Sequence, residues 1–214
     1  MLALLRAQVR DERVVGAMGA VPRERFVTAE LRVHAYADRA LPIGEGQTIS
    51  QPLMVGLMTE ALRVTSEDRV LEVGTGCGYQ AAVLSRLVRE VVTVERVPAL
   101  RERAAALLDE LGYTNVRVQA ASETLGWRDG APYDAIIVTA GAPHIPRALI
   151  EQLRPGGRLV VPVGDRRAQD LVRVEKTAHG VELTRLGPCA FVPLVGRGAW
   201  AEAGVIDASR SIKV

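Results

Sequence analysis

Apolar positions along the chain form short β-branched runs separated by stretches with helical spacing. Arg69–Val73 (R-V-L-E-V) reads as a buried strand. Gln80–Val88 follows with Val83, Leu84, Leu87 and Val88 on one helix face. Val91–Val94 is a second strand ending in Glu95. Pro98–Leu111 places Leu100, Ala104, Leu107, Leu108 and Leu111 at helical spacing, and Gly112 stops it. Asn115–Val118 and Tyr133–Thr139 read as the third and fourth strands, Pro146–Leu153 as a helix, and Arg158–Val163 as a strand after the turn Pro155-Gly156-Gly157. Leu171–Glu175 and Val181–Arg185 form a hairpin turning near His179-Gly180, and Ala190–Leu194 is expected as a last strand. Strands alternating with helices predict an α/β fold with a doubly wound, mostly parallel sheet.

The segment before the first strand has weaker periodicity. Asp11 is placed to cap a short helix with Val14, Val15 and Met18 on one face. Val21-Pro22-Arg23 ends it, and Glu30–Ala37 reads as a second, weak helix. Leu41–Pro52 (L-P-I-G-E-G-Q-T-I-S-Q-P) reads as a loop that opens a helix carrying Val55, Met58, Thr59 and Leu62. Pro52 suits the first turn of that helix. Ser50 has two readings: an N-cap hydroxyl, or, with Thr48 and free backbone N–H groups, part of a binding site for an anion. The expected organisation is an N-terminal helical cap and loop over 1–65, a sheet core over 66–195 and a tail over 196–214, in which no motif is legible.

Composition narrows the class. A chain of 214 residues with 48% hydrophobic residues is long enough for one large core. The net charge of +2 is spread over scattered arginines matched by acids, with Lys only at Lys176 and Lys213, so no nucleic-acid stripe is expected. No apolar run approaches the roughly 18 residues of a membrane span, and Arg6 interrupts the N-terminus too early for a signal peptide. Cys77 and Cys189 have no metal spacing and read as free thiols in a reducing cytoplasm.

The candidate chemistry sits at Gly74, Gly76 and Gly78, immediately after the first strand. Glycine at alternate positions lets the chain turn sharply and lets a ligand approach the backbone. A dinucleotide site wants G-x-G-x-x-G; here the pattern is G-x-G-x-G with Glu72 two residues upstream. A carboxylate there would repel a pyrophosphate but attract a sulfonium and an ammonium, which fits S-adenosylmethionine better; a purely structural turn is the third reading. Glu95, about 20 residues past the glycines, suits a ribose diol, the alternative being a loop charge paired with Arg96. Ser122 and Thr139 also lie at the carboxyl ends of strands, where ligands of such sheets bind.

Several stretches together resemble the protein-L-isoaspartate (D-aspartate) O-methyltransferase family: V-P-R-E-R-F-V (21–27), G-Q-T-I-S-Q-P (46–52), L-E-V-G-T-G-C-G-Y-Q-A-A-V-L (71–84), V-E-R (94–96), P-Y-D-A-I-I-V-T (132–139), Q-L-R-P-G-G-R-L-V-V-P-V-G (152–164) and F-V-P-L (191–194). The order and spacing match from about residue 11 to 195, and G-Q-T-I-S-Q-P is the specific stretch. The resemblance implies a Rossmann-like methyltransferase that uses S-adenosylmethionine, releases S-adenosylhomocysteine, and methylates the α-carboxylate of L-isoaspartyl residues in damaged proteins or peptides. It implies a cofactor wall of Gln47, Ile49, Glu72, Gly74, Thr75, Gly76, Gly78, Glu95, Arg96, Ser122, Glu123 and Thr139. Ser50 and Thr48 are then the catalytic candidates, Ser50, Val55 and Val195 meet the substrate, and no metal is involved. A monomer or weak oligomer without nucleic-acid or membrane partners is expected. One departure stands out: where the family usually has Gly-Asp-Gly, with the Asp on the adenine amino group, this chain has Ala121-Ser122-Glu123. Leu53 and Cys77 are milder departures, where the family more often has an aromatic residue or His, and a Ser. Two other readings remain: an O-methyltransferase directed at ordinary aspartate in a specific peptide, and a non-catalytic module that has lost cofactor affinity.

Overall fold

A computed structural model describes residues 1–201. Seven strands form the central sheet: β3 (Arg69–Val73), β4 (Glu90–Glu95), β5 (Val116–Ala120), β6 (Tyr133–Val138), β7 (Leu153–Gly164), β8 (Gln169–Thr177) and β9 (Gly180–Cys189). Their order is β5-β4-β3-β6-β7-β8-β9. The first five run parallel, while β8 and β9 add an antiparallel edge. The chain runs outward from β3 to β5 and then returns to β6 on the other side of β3. The carboxyl ends of β3 and β6 therefore flank the point where the winding reverses, and a crevice opens there.

Period-two alternation distributes the strands' side chains to two apolar layers. Val70, Val91, Ala135, Ile137 and Val160 face one layer; Leu71, Val92, Ile136, Val138, Leu159 and Val161 face the other. The first layer is covered by α1 (Leu2–Gln8), α2 (Glu12–Ala20), α3 (Pro52–Leu62), α4 (Tyr79–Ser85) and α5 (Pro98–Glu110), through Leu5, Met18, Met58, Leu62, Leu84 and Leu108 among others. The second is covered by α6 (Arg147–Glu151) and by the chain around Leu125 and Leu194. The N-terminal segment thus buries its apolar face in the same layer as the sheet.

Four local expectations change. Leu2–Gln8 is a helix that the periodicity does not announce. Ala29–His34 is a 3-10 helix with no buried residue, instead of an α-helix over 30–37; without an apolar stripe nothing rewards the wider α turn. The stretch read as a loop contains a hairpin of β1 (Leu41–Gly44) and β2 (Gln47–Ile49). Glu45 and Gly46 both have positive φ between paired Gly44 and Gln47, which is the I′ turn that suits a twisted hairpin. Leu41, Ile43 and Ile49 point inward, so the glycines shape a turn between two very short strands. Finally, 190–194 is not a strand of the sheet: Pro193 makes only an isolated bridge with Gly141, and Gly141 N–H donates to Val192 while Leu194 N–H donates to Gly141.

Candidate active site

A cavity of about 970 Å³ opens at the carboxyl ends of β3, β4, β5 and β6, at the upper end of the roughly 300–1,000 Å³ common for ligand sites. Its floor is the glycine turn. Gly74, Gly76 and Gly78 all have positive φ, at +103°, +54° and +90°. The Gly74 and Thr75 N–H groups donate to the carbonyl of Val94, and the Thr139 hydroxyl donates to the carbonyl of Gly74 at 2.6 Å. The turn is thereby tied to both neighbouring strands.

Glu72 is fully buried in the middle of this tie. Its Oε2 accepts from the Thr93 hydroxyl at 2.6 Å, and Thr93 Oγ1 lies 2.7 Å from Thr75 Oγ1. Its Oε1 is buried and has no partner among the described residues. Burial, with Glu95 adding repulsion, pushes the Glu72 carboxyl up to about 8. An orphaned, buried carboxylate oxygen in a cavity wall is what an ammonium group would satisfy, so the wall fits an amino-acid cation. Glu95, only 6% exposed, accepts from Gly76 N–H at 2.9 Å and Val97 N–H at 2.9 Å. Each of its oxygens keeps a second lone-pair direction for a diol. Glu95 therefore also shapes the glycine turn.

The hairpin and the start of α3 form the opposite wall. Ser50 lines the cavity, and its N-cap reading fails: the N-cap is Gln51, without a side-chain bond. Asp38 takes that role from a distance, its Oδ1 accepting from Leu53 N–H at 2.8 Å. No hydrogen bond of the Ser50 hydroxyl is found among the described residues, so it is available to a ligand.

The cavity gathers Gln47, Thr48, Ile49, Ser50, Val55, Glu72, Gly74, Thr75, Gly76, Glu95, Arg96, Ser122, Glu123, Thr139 and Val195 into one lining, although they come from widely separated parts of the chain. Gly78 is not among them. It precedes α4, and a Cβ there would meet Leu108 at 3.1 Å, so this glycine serves the packing of α4 on α5. A Cβ on Gly76 would meet Ile43 of the hairpin at 3.3 Å, so this glycine serves the closeness of the hairpin. Ser122 is exposed and donates to the carbonyl of Thr124 at 2.8 Å, a bond within its own loop, beside the exposed Glu123. Sequence reasoning missed Tyr79, Gln80, Arg166 and Trp200, which also line the cavity. The tail expected over 196–214 is a rim as far as 201. Trp200 Nε1–H donates to the Gly141 carbonyl at 3.1 Å and its ring lies 4.9 Å from the Arg166 guanidinium. Only the aromatic in an otherwise plain stretch could have signalled this. Residues 202–214 lie outside the described residues.

Comparisons with known proteins agree with this geometry. The family model described as Protein-L-isoaspartate(D-aspartate) O-methyltransferase (PCMT) matches residues 1–199. The protein-L-isoaspartate O-methyltransferase of Desulfosudis oleivorans (strain DSM 6200 / JCM 39069 / Hxd3) is 53% identical over 199 residues, covering 93% of this chain and 90% of that protein. A solved protein-L-isoaspartate O-methyltransferase superposes with a TM-score of 0.84 at 30% identity, over 92% of this chain and 66% of that one. A putative protein-L-isoaspartate O-methyltransferase from Plasmodium falciparum, solved in complex with S-adenosyl-L-homocysteine, shares the fold with a TM-score of 0.77 at 24% identity, over 89% of this chain and 94% of that one.

Proposed function

The chain belongs to the protein-L-isoaspartate (D-aspartate) O-methyltransferase family, and on that premise we propose that it methylates the α-carboxylate of L-isoaspartyl residues in damaged proteins or peptides. The observation that carries this reading is the cavity in which the glycine turn after β3 faces the G-Q-T-I-S-Q-P hairpin. When bound, S-adenosylmethionine supplies an electrophilic methyl group, and S-adenosylhomocysteine is the product left behind. Glu72 would hold the ammonium group, Glu95 the ribose, and Gly74, Thr75, Gly76 and Thr139 the methionine end, with Gln47, Ile49, Arg96, Ser122 and Glu123 along the rest of the wall. Ser50, helped by Thr48, orients the substrate, which also meets Val55 and Val195.

The residue inventory suits the chemistry. A carboxylate is already ionised at neutral pH and needs no general base. The protein has to align oxygen, methyl carbon and sulfur and keep water out. Charge is neutralised in that transition state, so a cationic clamp on the accepting carboxylate would favour the ground state. A neutral hydroxyl orients without that cost. The methyl ester then closes to a succinimide as the following backbone nitrogen attacks and methanol leaves; hydrolysis of the ring restores some normal aspartate.

We read residues 1–65 as the cap and active-site loop on the cofactor-binding core of 66–195. The protein is proposed to work in the cytoplasm, as a monomer or weak oligomer, without nucleic-acid or membrane partners. Two free cysteines and a net charge of +2 support this. Among the described residues no helix is long and apolar enough to cross a membrane.

The direct test supplies labelled S-adenosylmethionine with an isoaspartyl peptide and its aspartyl twin. Label on the isoaspartyl peptide alone is expected; label on the twin alone would make this an aspartate-directed enzyme. At the residue level, Ser50→Ala is expected to lower kcat about tenfold, the worth of one hydrogen bond in the transition state. The melting temperature should hold, because Asp38 caps α3. Asp38→Ala should instead cost about 1 kcal/mol of stability, read as a fall of a few degrees in melting temperature.

A further inference from the structure

Arg23 is the largest fully buried charged side chain of the described residues and does not line the cavity. It sits one layer behind the wall. Its Nε–H donates to the Ala35 carbonyl at 2.7 Å and its Nη2 donates to the Ser50 carbonyl at 2.6 Å. Its guanidinium carbon lies 4.7 Å from the centroid of the Tyr79 ring, and Tyr79 does line the cavity. Among the described residues it forms no ion pair with a carboxylate, and its Nη1 is buried with no hydrogen-bond partner.

A buried cation without an anion is expensive. Arg23 nevertheless occupies a fully buried place. What a guanidinium does and a hydrocarbon cannot is hold two carbonyls at fixed angles while stacking on a ring. Hydrogen bonds to a charged donor are about twice as strong as neutral ones. One of those carbonyls belongs to Ser50. From the other direction, Asp38 fixes the same short segment: it accepts from Leu53 N–H at 2.8 Å and from the Gln51 amide at 3.3 Å. Pro52 keeps Gln51 extended, at φ −57° and ψ 144°. The backbone at the Ser50 carbonyl and in the three residues after it is therefore pinned, while the Ser50 hydroxyl stays uncommitted.

We propose that Arg23 is a positioning residue for methyl transfer, anchoring the Ser50 carbonyl while its own guanidinium stacks on the Tyr79 ring, so that the Ser50 hydroxyl meets the substrate in fixed geometry. This rests on the proposed function, because it gives Arg23 a role only through Ser50.

The test is a double-mutant cycle of Arg23→Lys and Ser50→Ala, assayed with an isoaspartyl peptide below the melting temperature of every variant. Lysine keeps the charge but cannot hold both carbonyls in plane. Arg23→Lys is expected to lower kcat by up to about tenfold, no more than Ser50→Ala does, since it acts through one hydrogen bond. The Michaelis constant for S-adenosylmethionine should stay within about twofold, because a group that acts only in the transition state leaves ground-state binding alone. In the Ser50→Ala background, Arg23→Lys should cost no further kcat. The fall in melting temperature, by contrast, should be the same in both backgrounds. Equal kcat losses in the two backgrounds would overturn the proposal, as would an unchanged kcat in Ser50→Ala. If Arg23→Lys does not fold, Arg23→Gln, which cannot reach both carbonyls and does not line the cavity, takes its place and should give the same non-additive pattern with Ser50→Ala; additive losses there overturn it equally. A parent protein that leaves isoaspartyl peptides unmethylated overturns the functional reading itself, and with it this role; an active parent with additive losses overturns the role of Arg23 alone.

Discussion

Glu72→Gln should yield a protein that is more stable at pH 8 than its parent and yet nearly unable to hold its cofactor. The two effects share one cause. Glu72 has no exposed surface, and burial raises its carboxyl from 4.5 to about 8. Between those values the folded state keeps a proton that the unfolded chain has lost, so stability falls as pH rises through that window and levels off above it. Glutamine is neutral throughout, so the slope should flatten. The gain should be absent near pH 4 and reach a few kcal/mol at pH 8, each pKa unit being worth about 1.4 kcal/mol. Cofactor binding runs the other way. A cationic amino-acid group against Glu72 favours the ionised form, and truncating such a buried pair costs on the order of 100-fold in affinity or more. In the parent, affinity for S-adenosylhomocysteine should rise between pH 6 and pH 8 and binding should release a proton. Calorimetry in two buffers of different ionisation enthalpy counts it. Parent-like affinity in Glu72→Gln would remove Glu72 from the cofactor site.

The second large effect is expected at Gly74. Its φ is +103°, a region closed to other residues without strain. A Cβ there would lie 2.4 Å from the Thr139 hydroxyl oxygen, the same hydroxyl that donates to the Gly74 carbonyl. Gly74→Ala should therefore force β3 and β6 apart where the crevice opens, losing roughly 3 kcal/mol of stability. Cofactor affinity should fall on the order of 100-fold, about 2.7 kcal/mol. Adding Thr139→Ala removes the steric part and should return some of the stability, while the strained φ keeps the rest. Denaturant titration and calorimetry of the single and double variants measure both; a Gly74→Ala protein with parent stability and affinity would contradict this account. Gly76 carries a smaller steric load, since its nearest neighbour is the tip of Ile43 at 3.3 Å.

Whatever depends on short windows of residues was legible before folding. Val70, Leu71 and Val73 alternate between two faces because a strand has period two, and the buried runs of β4 and β6 were readable for the same reason. Gly74 and Gly76 were legible as a turn since only glycine enters such backbone freely. With strands and helices in order, the carboxyl-end position of Gly74, Glu95, Ser122 and Thr139 followed from the winding. Whatever depends on partners remote in the chain emerged only with the fold. The helix that Ser50 precedes is capped by Asp38, and Ser50 is held by Arg23, 27 positions away. Trp200 reaches Gly141 across 59 positions to make a rim from a segment with no motif. The hairpin over the cavity hid behind its glycines, because two strands of four and three residues are stabilised by Ile43 and Ile49 packing inward more than by their own propensity. The charge state of Glu72 was likewise invisible in sequence: a carboxyl's pKa is set by the water it loses and the charges it meets, and both are fixed only when the chain closes around it.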